Sequence, residues 1–298
     1  MRAALVALAV VLAGCPAFGS GSTPTPEVTP VPVPETAAYP PGVSEAGVVA
    51  PDVLANAHVT LVGNTSYTIV SNRTIRYANG TLASGLAVRT RLAADRRFLV
   101  TVSTAGPEGP LLLGRPPASA RYWSNGSVYV RALTVDGRTT HTRFAPPDGF
   151  VGTWRYWRST VPFGGQEGNA AGTFAAVFRA VPTTVADTRS VGNRTVTRLV
   201  GDTAHSGSFA KVGNGSVRNL TLAAAVDDRG LVRSFDLSYG TRKDDQPVRV
   251  EWSLRYLNVG NTTAARPPWF ERAIADADTA GPPATAGQNS STSTVTSS

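Results

Sequence analysis

Tyr67-Thr-Ile-Val-Ser-Asn-Arg-Thr-Ile-Arg-Tyr77-Ala-Asn79-Gly80-Thr81-Leu82-Ala-Ser-Gly-Leu86-Ala-Val88-Arg-Thr-Arg-Leu92 decides the fold class. Side chains alternate across a strand; here Tyr67, Ile69, Ile75 and Tyr77 share one parity and Asn72 takes the other. Asn79-Gly80 between two such runs is a strong hairpin signal, because a type I′ turn needs positive φ at both central residues. The returning strand sets Leu82, Leu86, Val88 and Leu92 on one side and Arg89 and Arg91 on the other. One face is therefore apolar and one wet, the signature of an antiparallel sheet covered on one side.

The same pattern continues toward the C-terminus. A strand over 96–104 groups Phe98, Val100 and Val102, and hairpins at Asn125-Gly126 and Asp136-Gly137 predict strands near 119–124, 127–134 and 138–144. A second β block covers 183–190, 194–203, 218–227, 231–240 and 247–258, where Val248, Val250, Trp252, Leu254 and Tyr256 alternate with Arg249, Glu251 and Arg255. Closely spaced turn signals without intervening helices indicate a meander rather than βαβ units.

Helices are few. Pro51 opens and Gly63 closes a run over 51–62 with Leu54, Ala57 and Leu61 at i, i+3 and i+7, which predicts a short amphipathic helix. Residues 150–181 carry Phe150, Trp154 and Trp157, then Phe174, Val177 and Phe178 after Gly164-Gly165. They read as two helices that either plug one side of the sheet or line an apolar cavity. Pro267 to Ala277 reads as a last helix packing Trp269 and Phe270. Pro107 to Pro117 frames Leu111, Leu112 and Leu113 with four prolines and two glycines, a loop that either tucks the leucines under the sheet or forms an apolar lid. The expected fold class is α+β, a large curved antiparallel β-sheet over residues 40–275 with an N-terminal helix and helices packed on one face.

Leu12-Ala13-Gly14-Cys15 closes an apolar run from Ala3 that follows Arg2 and presents the only cysteine of the chain. A run this short suits a signal peptide and falls short of the ~20 residues that span a bilayer. Residues 1–14 are expected to be a lipoprotein signal peptide and Cys15 the lipidated first residue, placing the protein on the extracytoplasmic face of the cell membrane with a two-chain anchor. Residues 15–39, rich in Pro and Thr, read as an extended tether, and 276–298 as a disordered Ser/Thr-rich tail. With Cys15 occupied, no internal disulfide is available.

Nine of the twelve asparagines sit in Asn-x-Ser/Thr, in a chain that is about a fifth Ser and Thr. This enrichment predicts N-glycosylation at Asn64, Asn72, Asn79, Asn125, Asn193, Asn214, Asn219 and Asn261, with Asn289 in the tail. Turn chemistry alone accounts for the Asn-Gly sequons at 79, 125 and 214 but not for the rest. The net charge of +8 is spread along the chain and carried by Arg, with Lys211 and Lys243 the only lysines. A diffuse attraction to anionic headgroups or envelope polymers follows, and no nucleic-acid motif appears.

Catalytic and metal signatures are missing. His58, His141 and His205 are widely spaced, no nucleophile-elbow, P-loop or dinucleotide-binding motif occurs, and no cofactor or metal is expected. Asp227-Asp228 and Asp244-Asp245 read as turn residues. Asp276-Ala-Asp278-Thr-Ala-Gly281 lacks the closing Glu of a calcium loop. A Ser/His/Asp triad assembled from distant residues has no sequence support, so the chain reads as a binding protein rather than an enzyme.

Lipobox, stalk, Tyr39-Pro-Pro-Gly-Val43, the helix ending before Ser66-Tyr67-Thr68, Arg76-Tyr77-Ala-Asn-Gly80, Tyr122-Trp123-Ser-Asn-Gly-Ser-Val-Tyr129 and Gly149-Phe-Val-Gly-Thr-Trp-Arg-Tyr156 together resemble a set of haloarchaeal cell-surface lipoproteins of unknown activity. The similarity spans most of residues 1–270 and implies location and lineage. The basic charge departs from the acidic surfaces usual in halophiles. More loosely, the order of elements resembles lipoprotein carriers of the LolA and LppX type, half-barrels whose concave face holds acyl chains. That resemblance implies Trp123, Trp154, Trp157, Phe174 and Phe178 as the lining. Two readings follow: a lipid-anchored glycoprotein binding an apolar ligand or lipid in the concave face, or a structural or interaction module of the envelope with a filled core. A surface hydrolase is a distant third.

Overall fold

A computed structural model of the chain describes residues 39–144, 153–160, 170–205 and 216–280. The expected signal peptide, Cys15 and the tether up to residue 38 lie outside the described residues, as do Phe150, Gly164-Gly165, Asn214, Asn289 and the tail from 281. Val43–Ser44 (β1) and Gly47–Val48 (β2) form a small antiparallel pair ahead of helix α1, Pro51–Gly63. A first meander follows: β3 (Tyr67–Tyr77), β4 (Leu82–Leu92), β5 (Phe98–Ala105), β6 (Ala118–Ser124), β7 (Tyr129–Val135) and β8 (Arg138–Phe144). Helices α2 (Trp154–Ser159) and α3 (Ala170–Ala180) lead to a second meander: β9 (Thr184–Val191), β10 (Arg194–Gly201), β11 (Arg218–Asp227), β12 (Val232–Lys243) and β13 (Gln246–Leu257). Helix α4 spans Phe270–Ala280.

All eleven long strands join one antiparallel sheet, ordered β8-β7-β6-β5-β4-β3-β13-β12-β11-β10-β9. Only the β3–β13 seam is out of sequence order; there the two meanders meet, with Ile75 opposite Val250 and Ile69 opposite Tyr256. The expected hairpins form where turn chemistry placed them. At Asp136-Gly137 both residues have positive φ, 50° and 74°, the type I′ combination that fits the twist of the flanking strands. Asp227 likewise acts as a turn residue: its Oδ1 accepts the Arg229 and Leu231 amides, at 3.2 and 3.1 Å.

Strand parity sorts the two faces as the alternation requires. On β13, Val248, Val250, Trp252, Leu254 and Tyr256 are buried, while Arg249 and Glu251 are exposed. One apolar cluster extends from Tyr129 on β7 to Leu199 on β10 and takes in α1, α2 and α3. A flat eleven-stranded sheet would be roughly 50 Å wide, beyond the reach of helices of 6–13 residues, which are about 9–20 Å long. The sheet therefore curls around its helices, and it stays open, with β8 and β9 as its edges.

Two elements differ from expectation. The buried residues of α1 are Leu54, Ala55, His58 and Val62, a stripe rotated from Leu54-Ala57-Leu61, because His58 turns inward onto Phe174 of α3 and accepts the Val232 amide. Helix α4 runs to Ala280, so the expected tail boundary at 276 falls inside it; Asp276 pairs with His141 Nδ1 at 2.7 Å, which pins the helix to β8.

Candidate functional site

The aromatic residues of α2 and α3 converge beneath the helices. Trp157 is 1% exposed and Phe174 0%, and the Phe174 and Phe178 rings stand 4.9 Å apart in the central cluster. Thr153 caps α2 by accepting the Tyr156 amide; the helix lies against β4 and β5, with Trp157 on Tyr122 of β6 and Arg158 near Tyr67 of β3. Trp154 is half-buried at the rim, with the Arg96 and Arg155 guanidinium groups 5.9 and 5.5 Å from its ring centre. The expected lining residues thus share one apolar cluster, with Trp157 against Tyr122 and Tyr156, Phe174 against His58 and Phe178, and Trp154 packed at its rim.

Trp123 is not among them. Tyr122 takes the helix-covered face, so its neighbour Trp123 points to the opposite one, where it packs on Phe270 and Ala273 of α4 and donates Nε1–H to the Ala264 carbonyl at 3.3 Å. The leucine loop also divides. Leu113 is buried, but Leu111 and Leu112 are 75% and 40% exposed. The loop leaves the sheet at the Tyr77 end, where Tyr77 and Lys243 both bond Glu108. Across the eleven residues of β3 that is roughly 33 Å from Tyr67 and α1, so it does not cover the aromatic site.

The site holds residues that the sequence did not single out. The His58 ring stacks on Phe174 at 5.3 Å and meets Tyr256 edge-on at 5.2 Å; Tyr256 meets Tyr67 edge-on at 5.4 Å. Arg158, 8% exposed, acts electrostatically on all three. Burial holds His58 neutral, its pKa lowered to about 3, with Arg158 pushing the same way and Asp227 opposing. Burial likewise raises the Tyr67 and Tyr256 hydroxyls, against the pull of the Arg158 cation. Because Nδ1 of neutral His58 accepts the Val232 amide at 3.3 Å, its proton sits on Nε2.

The hydrogen bonding of these groups is incomplete. His58 Nε2–H, the Tyr256 hydroxyl and Arg158 Nε–H are buried without a hydrogen-bond partner; the Arg158 guanidinium stands close enough to the Tyr67 oxygen to act on it as a hydrogen-bond donor, and the Tyr67 O–H itself has no acceptor. Among the described residues no carboxylate forms an ion pair with Arg158. Each unpartnered buried polar group costs about 1–3 kcal/mol, and more when charged. Tyr256→Phe is therefore expected to leave thermal stability unchanged or raise it, by up to about 1 kcal/mol, where a hydroxyl serving the fold would lose a similar amount; a thermal unfolding scan distinguishes the two.

An open groove of about 990 Å³ lies on the opposite, wet face, lined among others by Asn72, Thr74, Arg198, Asp236 and Glu251. Two of its carboxylates are paired: Arg255 holds Asp236 at 2.9 and 2.7 Å, and Arg249 holds Glu251 at 3.0 Å. Every expected glycosylation asparagine among the described residues is exposed, and Asn72 opens directly into this groove. Asn79 and Asn125 also accept local backbone amides, the turn role anticipated for them. Among the described residues no helix is long and apolar enough to cross a membrane, and no group of three or more His, Cys, Asp or Glu could hold a metal ion.

Several solved structures are similar in part. LprF from Mycobacterium bovis aligns at 10% identity over 73% of this chain and 96% of its own, with a TM-score of 0.35. Lipoprotein LppX from Mycobacterium tuberculosis aligns at 11% identity over 72% of this chain and 98% of its own, TM-score 0.36. A LolA superfamily protein from Nitrosomonas europaea aligns at 6% identity over 71% and 93%, TM-score 0.24. At these values no ligand is carried across. No curated protein matches the chain. A family model described as a family of unknown function, DUF7537, matches residues 1–273, and the chain belongs to that family.

Proposed function

We propose that this protein is a lipid-anchored, N-glycosylated component of the outer face of the cell membrane that binds an apolar, lipid-class ligand between its helices and the helix-covered face of its sheet. The observation that carries the reading is the buried polar interior: His58 Nε2–H, Arg158 Nε–H and the Tyr67 and Tyr256 O–H groups have no acceptor among the aromatic rings around them, which an interior serving only stability would avoid. Cys15 supplies the anchor, residues 16–38 the clearance from the headgroups, and the exposed sequons the glycan sites. The net charge of +8 favours contact with anionic envelope polymers. We assign no catalytic role.

The alternative, an envelope interaction module with a permanently filled interior, draws on the near-complete burial of Trp157, Phe174 and Phe178. In the carrier reading a ligand displaces side chains between the sheet and α2, a helix of six residues packed on β4 and β5. Native mass spectrometry of the full chain, released gently from its membrane, tests both readings together. The expected result is a covalently lipidated Cys15 plus a co-purifying lipid, lost when Trp154 and Phe178 are replaced by Ala in a still-folded variant. A chain free of ligand even after incubation with its own membrane lipids would leave the interaction module as the answer.

A further inference from the structure

We propose that His58, Tyr67, Arg158 and Tyr256 form the subsite for the head of that ligand, and that the head is a monoanion, a carboxylate in the first instance. The inference rests on the lipid-binding reading and adds the chemistry of the ligand to it.

The direction of the unused hydrogen bonds identifies the charge. With its proton on Nε2, His58 offers a donor; Arg158 Nε–H is a donor; and the two tyrosine hydroxyls are free to donate. A cluster of donors around a guanidinium is complementary to an acceptor-only group. An ionised carboxylate is one, with two oxygens and about four lone-pair directions. A neutral alcohol or ester head would leave the cation without a counter-charge.

The number of cations sets the number of negative charges. A buried charge is tolerated when it is paired and hydrogen-bonded. Arg158 is the one buried cation of this cluster, since His58 is neutral and Arg96 and Arg155 are exposed beside Trp154. The nearby Asp227 carboxylate is matched by Arg229 and Arg233, so one guanidinium and one monoanion make a neutral subsite, whereas a phosphate dianion would leave a charge over. Arg96 and Arg155 stand outside on the same helix flank, where they attract an approaching anion without following it in.

The surroundings place the tail. His58 stacks on Phe174, Phe174 contacts Phe178 at 4.9 Å, and Phe178 meets Phe235 of β12 at 6.5 Å, an aromatic path leading from the donors along the helix-covered face. A chain whose head sits at Arg158 runs along this path, displacing side-chain contacts that are apolar throughout.

The test titrates the full chain, stripped of lipid on a hydrophobic resin, with oleate, oleyl alcohol, acetate and inorganic phosphate, read by tryptophan fluorescence and native mass spectrometry. Oleate is expected to bind, and Arg158→Met to weaken it roughly tenfold or more while leaving oleyl alcohol unchanged. Arg158→Lys keeps the charge and is expected to fall between. Tyr256→Phe, which preserves packing, is expected to weaken oleate alone and covers the case in which the arginine variants fail to fold. Oleate and oleyl alcohol binding alike, both indifferent to Arg158→Met, would overturn the subsite and leave the lipid-binding reading standing. No binding of either overturns both. Binding of acetate or phosphate as tight as oleate, dependent on Arg158, would make the cluster a free-anion site and overturn the assignment of a lipid head.

Discussion

Arg158→Met is expected to make the ligand-free protein more stable, by about 2–4 kcal/mol in urea unfolding. Arg158 is buried beside Tyr67 and forms no ion pair with a carboxylate among the described residues. Removing a guanidinium from water without a counter-charge costs several kcal/mol, and even a buried ion pair, with its Coulombic gain, is often replaced by well-packed apolar side chains at no loss or with a gain of about 1–4 kcal/mol. Met follows the path of the Arg stem, keeps the contacts of α2 with β4 and β5, and carries no charge. The same substitution is expected to abolish selectivity for an anionic head, so stability and binding move in opposite directions, as they do where a site is strained for function. Arg158→Lys keeps the charge and is expected to give no stabilisation. A loss of more than 1 kcal/mol in Arg158→Met, with Arg158→Lys tolerated, would show instead that the cation holds the fold together and would remove the basis for a binding interior.

The strands were legible because two local signals agree in each of them. Alternation over Gln246–Leu257 and the turn pairs Asn79-Gly80, Asn125-Gly126 and Asp136-Gly137 specify both the face and the ends of a strand. The order of strands was not legible, because the β3–β13 seam joins residues far apart in the chain through pairing that carries no motif. Which neighbour in Tyr122-Trp123 faces the helices was equally hidden: both are aromatic, and a one-residue shift of register exchanges them. Leu111 and Leu112 are apolar, but their loop, framed by prolines and tied to Glu108, lies at the end of the sheet away from α1, which hydrophobicity alone does not reveal.

Arg158 is legible in the sequence by its position. Trp154, Trp157 and Arg158 lie at i, i+3 and i+4, so the arginine falls on the apolar stripe of its own helix, a position where a charge is either an error or a function. His58 shows the same thing four residues after Leu54, and attention to the apolar residues Leu54, Ala57 and Leu61 rotated the stripe away from it. What no sequence pattern carries is the absence of a partner. Tyr67 and Tyr256 read as ordinary core residues, and only the packed structure shows their O–H groups without an acceptor near a cation.

Acidification is expected to destabilise the protein through His58. Its pKa is lowered from 6.5 to about 3 in the folded state, first by burial and then by Arg158, with Asp227 opposing. The unfolded chain takes up a proton on His58 as the pH falls through 6.5, and the folded chain does so only near 3. Between those values the unfolded state binds more protons, so stability falls with pH by up to about 1.4 kcal/mol per unit, and by roughly 4–5 kcal/mol over the whole window. Above 6.5 His58 adds no slope. His58→Asn keeps an acceptor for the Val232 amide and removes the titration, so its urea midpoint should start lower, from the lost stacking on Phe174, but decline less steeply between pH 6.5 and 4. Parallel declines in the two proteins would show that other groups carry the acid sensitivity. A bound carboxylate reverses part of the effect, since it offsets the Arg158 charge and accepts the Nε2–H of His58, and both raise the folded pKa toward 6.5. Oleate is therefore expected to flatten the pH dependence of the wild type and to leave that of Arg158→Met unchanged, which ties the buried histidine, the buried arginine and the ligand to one equilibrium.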